Sequence, residues 1–545
     1  MAEAPTRADH TSRREASRFL EHEVEESVGH SENWVFRHFL RAINLGRNVK
    51  EVVSHRPTET SPLLRSSGST NGATYASTGT ERVTERQHDA AAASFHGRVK
   101  WPHEARTLAF CAAPLIITFL LQYSIDVTSI ISAGRLGKIE LGAVSLANMS
   151  SAISCFAPFQ GLATSLDTLC SQAYGSGKKH LVGIYCQRMA IFLFCLSIPI
   201  AILWAFSEHI LIHLVTNAES AYLASLYLKI IIFAIPGFAV FETGKRFLQA
   251  QGLFIATTHV LLVAAPINVL LSWVLVWKLD LGFIGAPIAV AITRNLLPIL
   301  LILYVKLFNG SQCWGGFTKR AFDNWWTMIR LSVPGMIMIE AEWLVFEIMA
   351  VVSSQFGTEY LAAQSSLLSL ATISYQIPFP MSIAASTRVA NLIGAGMVDA
   401  AKTAARVAFV SACLLSSLNF IIYITLQAQL PFIFTGDESV NALVTQVLPL
   451  VGFTTFFDGL GVTAHGLLRG IGKQSVGGKA NLFAYYVVSL PTSLALGFRA
   501  GWKLEGLWAG LTAGLITVSL IEYTYLLRAD WRKAATEAGI RVAAG

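Results

Sequence analysis

Between residues 107 and 527 the chain carries twelve apolar runs, each of about 20 residues or more, which is far more than one soluble core can bury. A helix rises 1.5 Å per residue, so each run matches the hydrocarbon thickness of a bilayer. The approximate spans are 107–133, 141–165, 184–206, 222–242, 254–278, 285–308, 326–353, 361–384, 402–425, 443–465, 480–499 and 505–527. In lipid every backbone amide must find its partner within the segment, so such runs fold as helices. The expected class is an all-α polytopic membrane protein. Its composition agrees, with 53% hydrophobic and only 14% charged residues, against about 25% charged in soluble domains.

A net charge of +7 raises the question of nucleic acid. The basic residues instead alternate by side. With the N-terminus cytoplasmic, the inner loops and C-terminal tail hold about nineteen Lys and Arg, among them Lys178, Lys179, Lys245, Arg246, Lys319, Arg320, Arg388, Lys402, Arg469, Lys473 and Lys479, and the outer loops about five. That bias predicts both termini in the cytoplasm and a lipid bilayer, not nucleic acid, as the partner. Seven cysteines without paired spacing imply no disulfide framework. The sequon Asn309-Gly310-Ser311 falls in a loop expected to be cytoplasmic, where it would go unused.

Residues 1–103 are polar, rich in Ser, Thr, Glu, Arg and His, and are expected to be a disordered cytoplasmic tail with no cleavable signal peptide. Trp34 to Arg41 reads as a short basic amphipathic segment. The stretch Glu59-Thr60-Ser61-Pro62-Leu63-Leu64 resembles an acidic dileucine sorting signal, readable by an adaptor. It leaves a vacuolar or endosomal membrane and the plasma membrane as the destinations.

The sequence also repeats itself. Pro114 matches Pro334, and LGKIELGAVS (136–145) matches FGTEYLAAQS (356–365), at an offset of 220. SQAYGSG (171–177) matches ANLIGAG (390–396) at 219, and Gly252 matches Gly472. An offset of six spans keeps both halves in the same orientation, so two six-helix lobes should be related by a pseudo-two-fold axis along the membrane normal, with a central cavity between them. The expected organisation is a tail (1–103), a first lobe (104–309), a linker (310–325), a second lobe (326–527) and a C-terminal tail (528–545).

Three carboxylates, Glu340, Glu342 and Glu347, interrupt the seventh run. Each costs about 2.5–3.5 kcal/mol at a bilayer centre on insertion scales, so they need a wet or protein-lined interior. At about 100° per residue Glu340 and Glu347 share a face, whereas Glu342 and Glu347 lie about 140° apart. Asp126 breaks the first span, with Gln122 one turn earlier facing the same cavity, and Asp167 and Glu242 lie near the ends of the second and fourth. Glu242, three residues before Lys245, reads as half of an interfacial ion pair. Gly175, Gly177, Gly394 and Gly396 open turns where helices pack closely, and Pro334 is placed to bend the seventh helix. His209 and His213, four residues apart, lack a third ligand, and neither a metal nor another cofactor is expected.

The stretches SLDTLCSQAYGSG (165–177), EWLVFE (342–347), SYQIPFPMSIAASTR (374–388), and Asp458 with LLRGIGKQ (467–474), resemble eukaryotic members of the multidrug and toxic compound extrusion family. This resemblance covers roughly residues 107–527. It implies a secondary antiporter that exports or sequesters organic, often cationic and aromatic, compounds or toxins by alternating access. By the same resemblance Glu342, Glu347 and Asp458 would couple protons or cations, protons being favoured over sodium. Outside the family pattern, Glu340 is an additional acid of open role, and Asp126 is a candidate on its intramembrane position alone. Trp343, Tyr375 and Gln122 would line the substrate cavity. The protein is expected to be a monomer and not an enzyme. The alternatives are a lipid-linked oligosaccharide flippase of the same superfamily and a major-facilitator-type transporter. One departure is Pro380, where the family usually has Gly; with Pro378 it should kink or break the eighth helix.

Overall fold

The computed structural model describes residues 101–214, 218–433 and 437–545. The tail segments Trp34 to Arg41 and Glu59, Leu63 and Leu64 lie outside them. Among the described residues there is no strand, and eleven helices are long and apolar enough to cross a membrane. They are α1 (Trp101–Leu136), α2 (Lys138–Gly175), α3 (Lys179–Ala205), α4 (Ala218–Ala250), α5 (Phe254–Lys278), α6 (Gly282–Leu307), α8 (Thr358–Gly394), α9 (Val398–Thr425), α10 (Glu438–Gly470), α11 (Gln474–Arg499) and α12 (Lys503–Arg528). Helix α7 (Trp325–Ser353) has 29 residues, enough to cross, but carries Arg330 and the three glutamates. Its charges, not its length, set it apart from the other eleven.

Helices α1 to α6 form lobe 1 and α7 to α12 form lobe 2. The repeat is visible in their packing. Pro114 of α1 faces α5, its carbonyl accepting from Thr258 Oγ1 at 2.9 Å, while Pro334 of α7 faces α11, where a methyl on Gly478 would touch its carbonyl. Thr258 and Gly478 stand at the same offset of 220 as the prolines. Proline leaves a gap in the backbone ladder, and neighbouring helices close on it.

The first half of each lobe's leading helix packs on the other lobe. Leu108, Ala112, Leu115 and Phe119 of α1 belong to a core built mainly by α8, α9, α10 and α12, whereas Ile125 and Ala133 further along belong to lobe 1. Reciprocally, Met328 and Leu331 of α7 pack in the lobe 1 core, and Ala341, Val345 and Met349 in that of lobe 2. The lobes therefore interlock on the side where α1 begins, called here the Trp101 side.

Polar contacts reinforce that closure. Arg388 of α8 donates twice to Glu104 of α1, at 2.7 and 3.0 Å. Thr168 Oγ1 donates to the Arg469 carbonyl at 2.6 Å, and Gln172 Nε2 to the Gly470 carbonyl at 3.1 Å. The segment after α12, read as a tail, contains helix α13 (Trp531–Ala544), capped by Asp530. Trp531, Ala534 and Ala538 pack into lobe 2 and Val542 into lobe 1. Arg541 donates to Gln172 Oε1 of α2, and Lys473 pairs with Glu537 at 2.7 Å. The inter-lobe linker is likewise held, with Gln187 donating to the Gly316 carbonyl and Arg188 to that of Arg320.

Helix α8 breaks at Gln376 and Ile377 and restarts at Pro378. Proline suits a first turn, where the amide would have no partner in the helix. Pro380 falls in the same turn, so the pair sets a new helix start within the membrane.

Candidate ion-coupling site

The crossing of α7 between lobes places Glu342 at the centre of lobe 2's polar interior. Glu342 is 3% exposed and Asp458 of α10 is 7% exposed, and their carboxyl groups lie close enough to interact directly. Asp458 Oδ1 is buried without a hydrogen-bond partner. Tyr375 of α8 and Tyr485 of α11 lie close to both acids. Tyr485 sits in a π-helical stretch of α11, Phe483–Ser489, a widened turn of a kind often found at functional sites. Tyr375 stacks on Phe379, which meets Phe119 of α1 edge-on, so this aromatic wall joins the two lobes.

Glu347 and Glu340 are not part of this pair. No hydrogen bond or ion pair joins Glu347 to Glu342 or Asp458 among the described residues. Glu340 faces the Tyr486 side of α11, with Oε1 buried and unpartnered. The reason is angular: five residues of helix turn Glu347 about 140° from Glu342. Trp343 is partly buried and enters no ring pair among the described residues.

Two residues outside the quoted motifs form a separate buried pair in the same lobe. His465, on α10, has Nε2 3.1 Å from Asn481 Oδ1 and 3.3 Å from Glu522 Oε1 of α12. Asn481 fixes the arrangement by donating to the Met338 carbonyl at 2.8 Å. Glu522 is fully buried. Both were visible in sequence: Glu522 is an acid inside the twelfth span, and His465 follows Asp458 by seven residues, two turns along one helix face.

In lobe 1 the acids have basic partners. Asp126 Oδ1 lies 2.7 Å from Arg294 Nη2 of α6, whose guanidinium sits 3.8 Å from the Phe156 ring centroid and 5.2 Å from that of Phe238. Gln122 does not share that contact; its Oε1 accepts from Lys245 Nζ at 3.3 Å. Glu242 pairs with Lys245, but both side chains are fully buried, so the pair is interior rather than interfacial. Asp167 is bound by Arg246 of its own lobe at 2.8 Å and approached by Arg469 of lobe 2 at 3.8 Å. It ties the lobes together.

The glycines sit at the inter-lobe crossing. A methyl on Gly175 would strike the Asn391 carbonyl, and one on Gly394 the Gln172 carbonyl. Gly177 and Gly396 adopt φ of 79° and 74°, the left-handed region that glycine enters without penalty. His209 and His213 lie in the short helix Ser207–Leu214, and no cluster of three potential metal ligands occurs among the described residues.

The sequence profile of the family described as MatE matches residues 114–274 and again 334–494, the same offset of 220 that relates the lobes. An uncharacterized transporter of Saccharomyces cerevisiae is 42% identical over 462 residues, covering 84% of this chain and 66% of its own length. Multidrug and toxin extrusion protein 2 of Mus musculus is 34% identical, covering 80% of this chain and 77% of its own. The crystal structure of the eukaryotic MATE transporter AtDTX14 superposes with a TM-score of 0.78 at 29% identity, covering 81% of this chain and 99% of that one. A profile matched once in each lobe, at the offset that the prolines and glycines obey, makes this chain a multi-pass membrane transporter of the MATE family.

Proposed function

We propose that the protein is a proton-coupled antiporter of organic cations, in which the Glu342–Asp458 pair holds either a proton or the cation's charge. The carrying observation is the contact between two buried carboxyl groups. Two buried carboxyl groups side by side disfavour a second negative charge and so favour a proton on one of them, whereas an organic cation favours their ionised form. Proton and cation thus compete for one negative charge, which is the antagonistic linkage that antiport requires. Tyr375 and Tyr485 offer aromatic faces to a cation, an interaction worth about 0.5–2 kcal/mol. The mouse relative's name, multidrug and toxin extrusion protein, supports organic compounds as the cargo.

In this reading the Trp101 side is cytoplasmic, as the Lys and Arg bias favours, and closure there leaves the site to be served from the opposite side. Protonation from that side releases the cation. Glu347 and Glu340 act on the approach rather than in the pair. The monomer, the choice between vacuolar or endosomal and plasma membranes, and adaptor recognition through Glu59, Leu63 and Leu64 belong to the same proposal.

The test is uptake of a fluorescent organic cation into proteoliposomes under an imposed pH gradient. Glu342→Gln and Asp458→Asn should each lower uptake by about tenfold or more, and Glu347→Gln less. Undiminished uptake in all three would overturn the mechanism, and dependence on sodium without dependence on pH would overturn the choice of ion.

A further inference from the structure

Lobe 2 differs from lobe 1 at two matched positions in the same chemical sense. At the offset of 220, the Gln122 amide of lobe 1 corresponds to the Glu342 carboxyl, and the Lys245 ammonium, three residues after Glu242, to the His465 imidazole. An amide that never titrates gives way to an acid, and an ammonium ion-paired with Glu242 gives way to the side chain type that changes charge between about pH 5 and 8.

The surroundings of His465 fit a titrating role. It lies two helical turns beyond Asp458, about 10 Å nearer the Trp101 side. Its Nε2 stands 3.3 Å from Glu522 Oε1. Glu522 is fully buried, and neither of its oxygens has a hydrogen-bond partner. A buried carboxylate so placed is costly unless a positive charge accompanies it. The charged and titratable groups around the pair are Asp458 and Arg469 on α10, Glu342 on α7, Tyr485 on α11 and Tyr523 on α12. Arg469 is already engaged by Asp167 and by Ser382 Oγ, to which it donates at 2.7 Å.

We propose that His465 and Glu522 form a second proton-binding pair of lobe 2, set between the Glu342–Asp458 pair and the Trp101 side, which loads and unloads one proton in each transport cycle. The proposal rests on the proton-coupled reading above. A proton from water adds to the free imidazole nitrogen while the other N–H stays directed at Glu522. The pair then passes from a net charge of −1 to zero, and the reverse step returns the proton to water. No other bond changes. Removing that proton leaves a negative charge behind Asp458, which favours retention of a proton on the Glu342–Asp458 pair, so the two sites are linked electrostatically.

The experiment compares two modes of tetraphenylphosphonium movement in proteoliposomes: uptake driven by a pH gradient, and exchange of labelled against unlabelled cation at equal pH. His465→Lys installs the residue lobe 1 uses and keeps a cation beside Glu522. It should lower pH-driven uptake by about tenfold and flatten its dependence between roughly pH 5 and 8, while exchange stays within about twofold of wild type. Glu522→Gln should show the same split, and carries the test if His465→Lys does not assemble. Wild-type behaviour in both modes, or equal loss of both in a variant that melts normally, overturns the proposal. If wild type responds to the gradient and Asp458→Asn does not, while His465→Lys is unaffected, only this inference falls. Absence of pH-driven uptake in wild type removes the antiport reading and this inference with it.

Discussion

Gly175 of lobe 1 and Gly394 of lobe 2 make the same contact on each other's helix, each lying against the backbone carbonyl three residues before its counterpart, Asn391 or Gln172. Carbonyl oxygens of helices cannot swing aside as side-chain tips do. Gly175→Ala or Gly394→Ala should therefore destabilise the protein by about 1–3 kcal/mol each. The double variant should lose less than the sum, since one displacement of α2 from α8 relieves both clashes. Melting of the detergent-solubilised variants measures both effects.

The Glu104–Arg388 pair is a two-pronged bond between α1 and α8, with the carboxylate almost wholly buried. Arg388→Ala leaves that carboxylate without the bond and should cost about 3–5 kcal/mol. Glu104→Gln keeps shape and one acceptor and should cost less. The same melting measurement ranks the two, and equal values would contradict a charge-dependent clasp.

Helix α13 provides a pH dependence outside the membrane-spanning segments. The hydrogen bond from Lys473 and the charges of Lys473, Arg541 and Lys533 hold the Glu537 carboxyl below its usual range, against a smaller effect of burial. A depressed value means the docked helix gains stability above the ordinary carboxylate pKa of about 4.3 and loses it as pH falls through the lower docked-state value. Hydrogen exchange over residues 531–544 should therefore rise as the pH drops below about 4.3. Glu537→Gln should already exchange faster at neutral pH and lack that transition.

Pro380→Ala is expected to be nearly silent. The first-turn amide of a helix has no intrahelical acceptor, so restoring it at the restart of α8 should change stability by less than about 1 kcal/mol. A much larger shift in melting would mean that the break at Gln376 and Ile377 depends on both prolines.

Span number, the repeat and Glu342 were legible because each follows from a cost that lipid imposes on every residue alike. Arg294, Glu522 and His465 obey the same rule, yet they stand outside the motif blocks, and their partners lie far away in sequence. The exchange of the first halves of α1 and α7 between lobes was not legible. Hydropathy says that Leu108 and Leu331 are buried but not against which lobe. Nor did a helical period decide which of Glu342 and Glu347 meets Asp458; it gave the 140° between them, and only the position of Asp458 on α10 decides which face is the interior. Helix α13 could have been read from Trp531, Ala534, Ala538 and Val542, spaced at three to four residues, but 14 residues flanked by charge resemble a tail.

The bond between Gln172 and Arg541 closes a loop of 369 residues. During synthesis the end of α2 is made long before α13 exists, so this fastening can form only after all twelve spans have been threaded into the bilayer. The clasp thus marks completed assembly: a chain that ends within lobe 2 lacks the α13 partners of Gln172, Lys178 and Tyr185.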